Sequence, residues 1–279
     1  MAKIDVYWPL RMNGTGNLSN DWVLVYNSPT YAVFDNSDGV TVECWGAAQS
    51  NGVYLTHMRY TDQAGYLIGD FSGINTFYTS DELKLGSFDH FVSKMMSGSD
   101  TVLGSDYSDV IYGYDGNDYL VGYAGNGVIR CDAGNDRAYG GYDSDTLQGG
   151  SGNDLLSGQA GNDTIRGGVG RDSCTGGGGA DKFVFAALSE LGKGSLKDII
   201  NDFDSSDVID LSSIDANTKV GGNQAFNFIG GRAFTGHAGE LHFANGILSG
   251  DINGDRVADF QIAVKFNGIS KITSDDLHE

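Results

Sequence analysis

Nine aspartates fall in one register between residues 95 and 184: Asp100, Asp109, Asp118, Asp136, Asp145, Asp154, Asp163, Asp172 and Asp181. The step is nine residues throughout, and Gly127 fills the single vacant place in the series. Aspartate is short, anionic and accepts hydrogen bonds without donating any. Stacked on a regular scaffold, such carboxylates repel one another until a cation lies between them. A hard divalent ion takes carboxylate and backbone carbonyl oxygens as its ligands, so Ca2+ is the ion this register suits. Zinc and copper suit it poorly, because no histidine or cysteine recurs in step with the acids.

Two further columns share the period and must position the acids. Two residues after each sixth-position residue comes an apolar one: Val102, Ile111, Leu120, Ile129, Ala138, Leu147, Leu156, Ile165, Cys174 and Phe183. Two residues before it, glycine stands in eight of ten units, with Tyr107 and Asp143 as the exceptions. The fullest copies are Gly149-Gly150-Ser151-Gly152-Asn153-Asp154-Leu155-Leu156-Ser157 and Gly158-Gln159-Ala160-Gly161-Asn162-Asp163-Thr164-Ile165-Arg166. A fixed short period signals a repeat architecture. Glycine at the fourth position lets the loop take positive φ and turn its carbonyls inward. The reading is six turn-like residues and about three extended ones per unit, with the eighth-position side chain in a core between two sheets. Two units then make one coil of a parallel β-roll, and aspartates 18 apart stack above one another.

That stacking predicts two unequal edges. Asp100, Asp118, Asp136, Asp154 and Asp172 line one without a break; Asp109, Asp145, Asp163 and Asp181 line the other, interrupted at Gly127. One ion between successive aspartates gives four places on the first edge and two good ones on the second, with Gly127 weakening the pair it would share. The early units are looser, with Ser105, Tyr114, Tyr123 and Asp132 in the second-glycine column and Cys131 in the first. The better-formed half starts near Gly140, so folding is expected to begin at the C-terminal end of the roll and spread back towards Met95. Cys174 sits in the inward column and reads as a small buried hydrophobe.

The formal charge of −20 excludes nucleic acid and anionic membrane surfaces as partners. No stretch is apolar for long enough to span a bilayer, and Met1–Leu10 lacks the apolar run of a cleaved signal. Three cysteines, Cys44, Cys131 and Cys174, make neither a disulfide framework nor a zinc spacing.

Residues 1–94 read as an antiparallel β domain. Trp22–Tyr26, Tyr31–Phe34, Val40–Trp45, Val53–Tyr60 and Gly65–Phe71 are rich in β-branched and aromatic residues at hairpin-like distances. A short helix is expected over Lys84–Met96. Residues 95–184 are the roll and residues 185–279 a C-terminal β-rich cap, giving an all-β chain of three parts. Asp251-x-Asn253-x-Asp255-x-x-x-Asp259 alternates oxygen ligands as an EF-hand loop does, yet Arg256 stands where that loop needs glycine and the distal glutamate is missing. It reads as a β-turn with solvated acids. His57, His90, His237 and His242 read as ordinary structural or surface residues.

The nonapeptide Gly-Gly-x-Gly-x-Asp-x-U-x resembles that of the repeats-in-toxin (RTX) family, over about a third of the chain. The resemblance implies that the first six residues of each unit bind calcium. That adds Gly149, Gly158, Gly167 and Gly176, the first residues of their units, to the nine aspartates as metal-site residues. It also implies export, unfolded, by bacterial type I secretion machinery from a calcium-poor cytosol, with folding outside the cell. The motifs after Val184, among them Asp198-Ile-Ile-Asn-Asp-Phe-Asp204 and Asp207-Val-Ile-Asp-Leu-Ser-Ser-Ile-Asp215, resemble the C-terminal domain of serralysin-type secreted proteases. Asp275-Asp276-Leu277 resembles the start of the uncleaved export signal of that group.

Nothing in the chain supplies a matching active site. The five histidines cannot assemble HExxHxxGxxH, and the Asp-Pro-His-Asp motif of alginate C5-epimerases is impossible where Pro9 and Pro29 are the only prolines. The sequence therefore predicts a secreted, non-enzymatic calcium-binding protein acting in a matrix, in adhesion or at a host surface. The alternative is an enzyme or binding module for extracellular polysaccharide with its site in residues 1–94, where Trp8, Trp22 and Trp45 would supply stacking faces.

Overall fold

The structure, a computed structural model, describes residues 98–104 and 108–278, and the backbone of five strands upstream. The expected helix over Lys84–Met96, His90, Trp8 and Trp22 lie outside the described residues. His57 and Trp45 fall on strands of which the backbone alone is described.

The chain divides into two compact units, residues 1–105 with 113–119 and residues 106–112 with 120–279. In the first, strands β1 (Val23–Ser28), β2 (Tyr31–Asp35), β3 (Thr41–Gln49), β4 (Gly52–Thr61) and β5 (Leu67–Thr79) pair antiparallel in sequence order. This is the hairpin pattern that the alternating β-branched and aromatic segments predict. The short β6 (Thr101–Leu103) joins β5 antiparallel, with Phe71 opposite Val102.

The second unit is a stack of parallel coils. Strands β7 (Val110–Tyr112), β8 (Tyr119–Tyr123), β9 (Val128–Arg130), β10 (Arg137–Tyr142), β11 (Thr146–Ser151), β12 (Leu155–Ala160), β13 (Thr164–Val169), β14 (Ser173–Gly178) and β15 (Lys182–Val184) follow one per nonapeptide. Alternate strands pair: β7 with β9, β9 with β11, β11 with β13 and β13 with β15 in one sheet, β10 with β12 and β12 with β14 in the other. Each register joins residues 18 apart, such as Leu147 with Ile165 and Leu156 with Cys174, so a coil is two units long.

The whole eighth-position column is buried, from Val102 to Phe183. Cys174 belongs to it, and burial pushes its thiol well above the ordinary range. Strands β10 to β14 are six residues long rather than three, because the first three residues of the next unit stay extended. The second position of the unit is left-handed throughout that stretch. Gly150 has φ +105°, and a Cβ there would fall 2.0 Å from the carbonyl oxygen of Asp132 in the preceding coil. Tyr114, Tyr123, Asp132 and Gln159 hold the same conformation with φ between 66° and 77°, at a cost of about 1 kcal/mol each.

After Val184 the coils continue with different residues. Strands β16 (Asp198–Phe203) and β17 (Val208–Asp210) pair parallel with β14 and β15, placing Ile200 beside Cys174 and Ile209 beside Phe183. Strands β18 (Asn227–Phe228), β19 (Glu240–Ala244), β20 (Ile247–Asp251) and β21 (Phe260–Phe266) close one sheet in the order β16-β21-β20-β19-β18. Strand β22 (Leu277–His278) closes the other against β17. The strands that end the two sheets on this C-terminal side, β18 and β22, are each two residues long, which leaves little unpaired edge there for another chain to add to.

The acids of the 251–259 loop are not uniformly solvated, contrary to the sequence expectation. Asp251 is fully buried and accepts the N–H groups of Asn253, Gly254 and Arg256, while Asp259 accepts those of Ile252 and the Asn253 side chain. Arg256, with φ +71°, does adopt the left-handed conformation for which glycine would be preferred. His237 is exposed and bonded to Thr235 Oγ1, and His242 packs edge-on against Phe234.

Candidate metal centre

Each coil delivers one aspartate to each edge, except where Gly127 takes the place on the second, and the local geometry repeats. The backbone N–H of the residue in one coil donates to Oδ1 of the aspartate in the next. On the first edge these bonds join Asp136 N to Asp154 (2.9 Å) and Asp154 N to Asp172 (2.9 Å). In the N-terminal unit Asp100 N donates to Asp118 in the same way (2.9 Å). On the second edge they join Gly127 N to Asp145 (2.7 Å), Asp145 N to Asp163 (2.8 Å) and Asp163 N to Asp181 (2.9 Å).

The other oxygen is a different matter. Oδ2 of Asp100, Asp145, Asp154, Asp163, Asp172 and Asp181 is buried with no hydrogen-bond partner among the described residues. A buried polar atom left so is costly, and a column of them needs one common cause. From Asp145 onward these oxygens lie over the first glycine of their own units. A Cβ on Gly140, Gly149, Gly158, Gly167 or Gly176 would fall 2.0–2.4 Å from Oδ2 of Asp145, Asp154, Asp163, Asp172 or Asp181. At Gly149 the carbonyl oxygen of Gly167 converges on the same place (2.4 Å), and at Gly140 that of Gly158 (2.8 Å). Carboxylate and carbonyl oxygens brought together in a buried, glycine-walled space are the donor set of a hard cation.

The electrostatics agree. Burial, opposed by the backbone hydrogen bond, pushes the carboxyl of Asp154 up to about 7 and those of Asp100, Asp145, Asp163, Asp172 and Asp181 up to about 6. Mutual repulsion is the smaller cause, so desolvation rather than like-charge stacking dominates the penalty. Among the described residues no three acidic, histidine or cysteine side chains form a cluster. A ladder need not produce one, because each coil contributes at most a single carboxylate per edge.

Asp118 and Asp136 are buried like their neighbours, whereas Asp109 is half-buried and the next coil above it carries Gly127. Two ladder residues escaped the sequence reading. Asp198 Oδ1 accepts Asp172 N (2.7 Å) and Asp207 Oδ1 accepts Asp181 N (2.9 Å), each 26 residues on rather than 18. Their signal was present: Asp198-x-Ile200 and Asp207-x-Ile209 repeat the acid-to-core spacing of the nonapeptide. Asp198 Oδ2 is buried without a partner and its carboxyl is pushed up to about 7, chiefly by burial. Asp207 Oδ2 instead accepts Asp204 N, so that edge ends closed. A second, exposed ladder of fifth-position residues was also missed, in which Asn126, Asn135, Asn153 and Asn162 accept N–H groups from Ser144, Asn153, Arg171 and Ala180.

The parallel coils and their oxygen-lined edges define a calcium-binding β-roll. In agreement, residues 96–129, 132–165 and 148–183 match the model of the RTX calcium-binding nonapeptide repeat (4 copies). The matched segment, under a third of the chain, is thus an RTX-type nonapeptide repeat. No curated protein matches the chain. Among solved structures it is similar to the AlgE6R3 and AlgE6R2 subunits of the Azotobacter vinelandii mannuronan C5-epimerase, at 24% identity and a TM-score of 0.29 for each. The matches span 64% of this chain and 77% of the first, and 63% and 89% for the second. Similarity at that level carries no argument about activity. Among the described residues no helix is long and apolar enough to cross a membrane.

Proposed function

We propose that the protein is a secreted, non-enzymatic calcium-binding protein whose roll completes its folding by taking up Ca2+ between stacked coils. The observation that carries this reading is the column of buried, unpartnered Oδ2 atoms, joined at Asp145 and Asp154 by a converging backbone carbonyl. Asp136, Asp154 and Asp172 hold ions along one edge and Asp145, Asp163 and Asp181 along the other, with Gly149, Gly158, Gly167 and Gly176 beside them; within the first compact unit Asp100 and Asp118 form a pair of the same kind. Asp198 extends the first edge beyond the repeats, and Asp109 contributes least. Bound calcium supplies the positive charge that lets these carboxylates stay ionised while buried. The chain's own part is to present one Oδ2 per coil in fixed register and to hold it there through the Oδ1 hydrogen bond. Since the ion binds the folded coils and not the open chain, occupancy is folding free energy.

The serralysin-like order of motifs in residues 185–279 supports export by type I machinery and a role outside the cell, in a matrix, in adhesion or at a host surface. Calcium titration of the full chain, followed by calorimetry and far-ultraviolet circular dichroism, tests the central reading. Uptake of several ions with a gain of β signal is expected; a flat titration at millimolar calcium rejects it. Co-expression with a type I exporter tests the second part, with accumulation of the intact chain in the medium as the expected result.

A further inference from the structure

The nonapeptide register does not stop at Asp181. One more step of nine reaches Glu190, which stands 18 residues after Asp172, where the first edge should receive its next carboxylate. Asp198 takes that place instead. Glu190 lies on a 3-10 turn, Leu188–Glu190, in the segment between β15 and β16, and is nevertheless 4% exposed. It remains close enough to the ladder for its charge to bear on both Asp172 and Asp198. Unlike the ladder acids it has no unpartnered oxygen. Oε1 accepts N–H groups of Arg166 Nε (3.1 Å) and Nη2, and Oε2 accepts the N–H of Ala186 (2.9 Å). Arg166 comes from β13 and is itself 41% exposed on its side chain, so the cation reaches in from the surface to a buried acid.

We propose that Arg166 is a tethered cation. It does for Glu190 what calcium does for the ladder aspartates, and it pins segment 185–197 to the roll without metal. This deepens the calcium reading and rests on it for its stoichiometric consequence. A buried carboxylate stripped of its one charge partner is strongly disfavoured. Arg166→Gln should therefore leave Glu190 in need of a free cation, in a place already beside Asp172 and Asp198. Glu190→Gln should leave an unmatched positive charge at the end of the ladder. Arg166 is thus a positioning and charge-balancing residue and not a ligand.

The test is calorimetric calcium titration of the full chain as wild type, Arg166→Gln, Glu190→Gln and the double variant, with thermal unfolding of each in EDTA. The expected result is one additional ion per chain in Arg166→Gln, and binding weakened by about fivefold in Glu190→Gln. The double variant should return to the wild-type stoichiometry and to within about twofold of its affinity, because the two losses cancel in charge. An unchanged stoichiometry in Arg166→Gln, or a double variant as impaired as the worse single one, overturns the proposal. Should the wild type bind no calcium, the functional reading fails by itself. The clasp is then judged in EDTA, where Arg166→Gln must melt earlier and the double variant must recover; no recovery overturns it.

Discussion

The backbone N–H of Asp145 donates to Oδ1 of Asp163 across one coil, at 2.8 Å, and leaves Oδ2 of Asp163 buried with no partner among the described residues. This split of one carboxylate into a structural oxygen and an open one recurs on both edges. It explains why aspartate, and neither asparagine nor glutamate, fills the column. Asparagine would put an N–H₂ where a cation belongs, and glutamate would overshoot the hydrogen bond.

Asp163→Ala removes both oxygens and strands the buried N–H of Asp145. The stranded donor alone should cost about 1–3 kcal/mol, and the calcium concentration at half-folding should rise about tenfold or more. Asp109→Ala, at a half-buried residue below Gly127, should shift it by less than about twofold. Circular dichroism titrations of the two variants compare them directly, and equal shifts would contradict a roll that folds from its C-terminal end.

Gly158→Ala places a methyl group 2.0 Å from Asp163 Oδ2 without any help from backbone strain, since the residue is not left-handed. Forcing atoms into that space should cost about 1–3 kcal/mol and blunt calcium binding in proportion. Gly178→Ala, where a Cβ meets nothing within 4 Å, is the control. It should fall within about 0.5 kcal/mol of the wild type. Thermal unfolding in saturating calcium reads both.

The pH dependence should change direction with calcium. In the metal-free protein the ladder carboxyls sit at about 6 to 7, against about 3.9 in the open chain. Between pH 4 and pH 7 the folded state therefore binds more protons than the unfolded one, and its stability falls as pH rises. Asp204, Asp210 and Glu240, held below the usual carboxylate range mainly by hydrogen bonds that outweigh burial, oppose this only under about pH 4. The metal-free melting temperature should thus be highest near pH 4–5. With calcium present it should be highest near pH 7–8, because protons compete for the same oxygens. Melting curves across pH, with EDTA and with calcium, check the reversal.

Asp198→Asn and Asp207→Asn separate ladder chemistry from ladder structure. Both residues bond the coil before them, yet only Asp198 keeps an open buried oxygen. Asp198→Asn should weaken calcium binding several-fold, whereas Asp207→Asn should lower stability with little change in calcium affinity once folded. Calorimetry at saturating protein fold resolves the two effects.

Much of this was legible in the sequence because one period governs core and edge together. Leu147, Leu156 and Ile165 are buried for the same reason that Asp145, Asp154 and Asp163 stack: both columns advance by half a coil per unit. Asp198 and Asp207 were hidden because segment 185–197 inserts eight residues and breaks the count, although not the acid-to-core spacing. The left-handed second position was obscured because Tyr123 and Gln159 occupy it without glycine. Asp251 looked solvated because alternating acids in a turn usually are; its burial follows from three backbone donors closing on one carboxylate. Beyond Val184 the period is lost from the sequence while β16 and β17 carry the parallel pairing onward from β14 and β15.

The most direct measurement is a calorimetric calcium titration of the full chain at pH 7.5, with the same sample followed by circular dichroism. Several ions should bind per chain, with a simultaneous rise in β signal that EDTA reverses. A chain that is fully folded in EDTA and takes up no calcium at millimolar concentration would contradict the account.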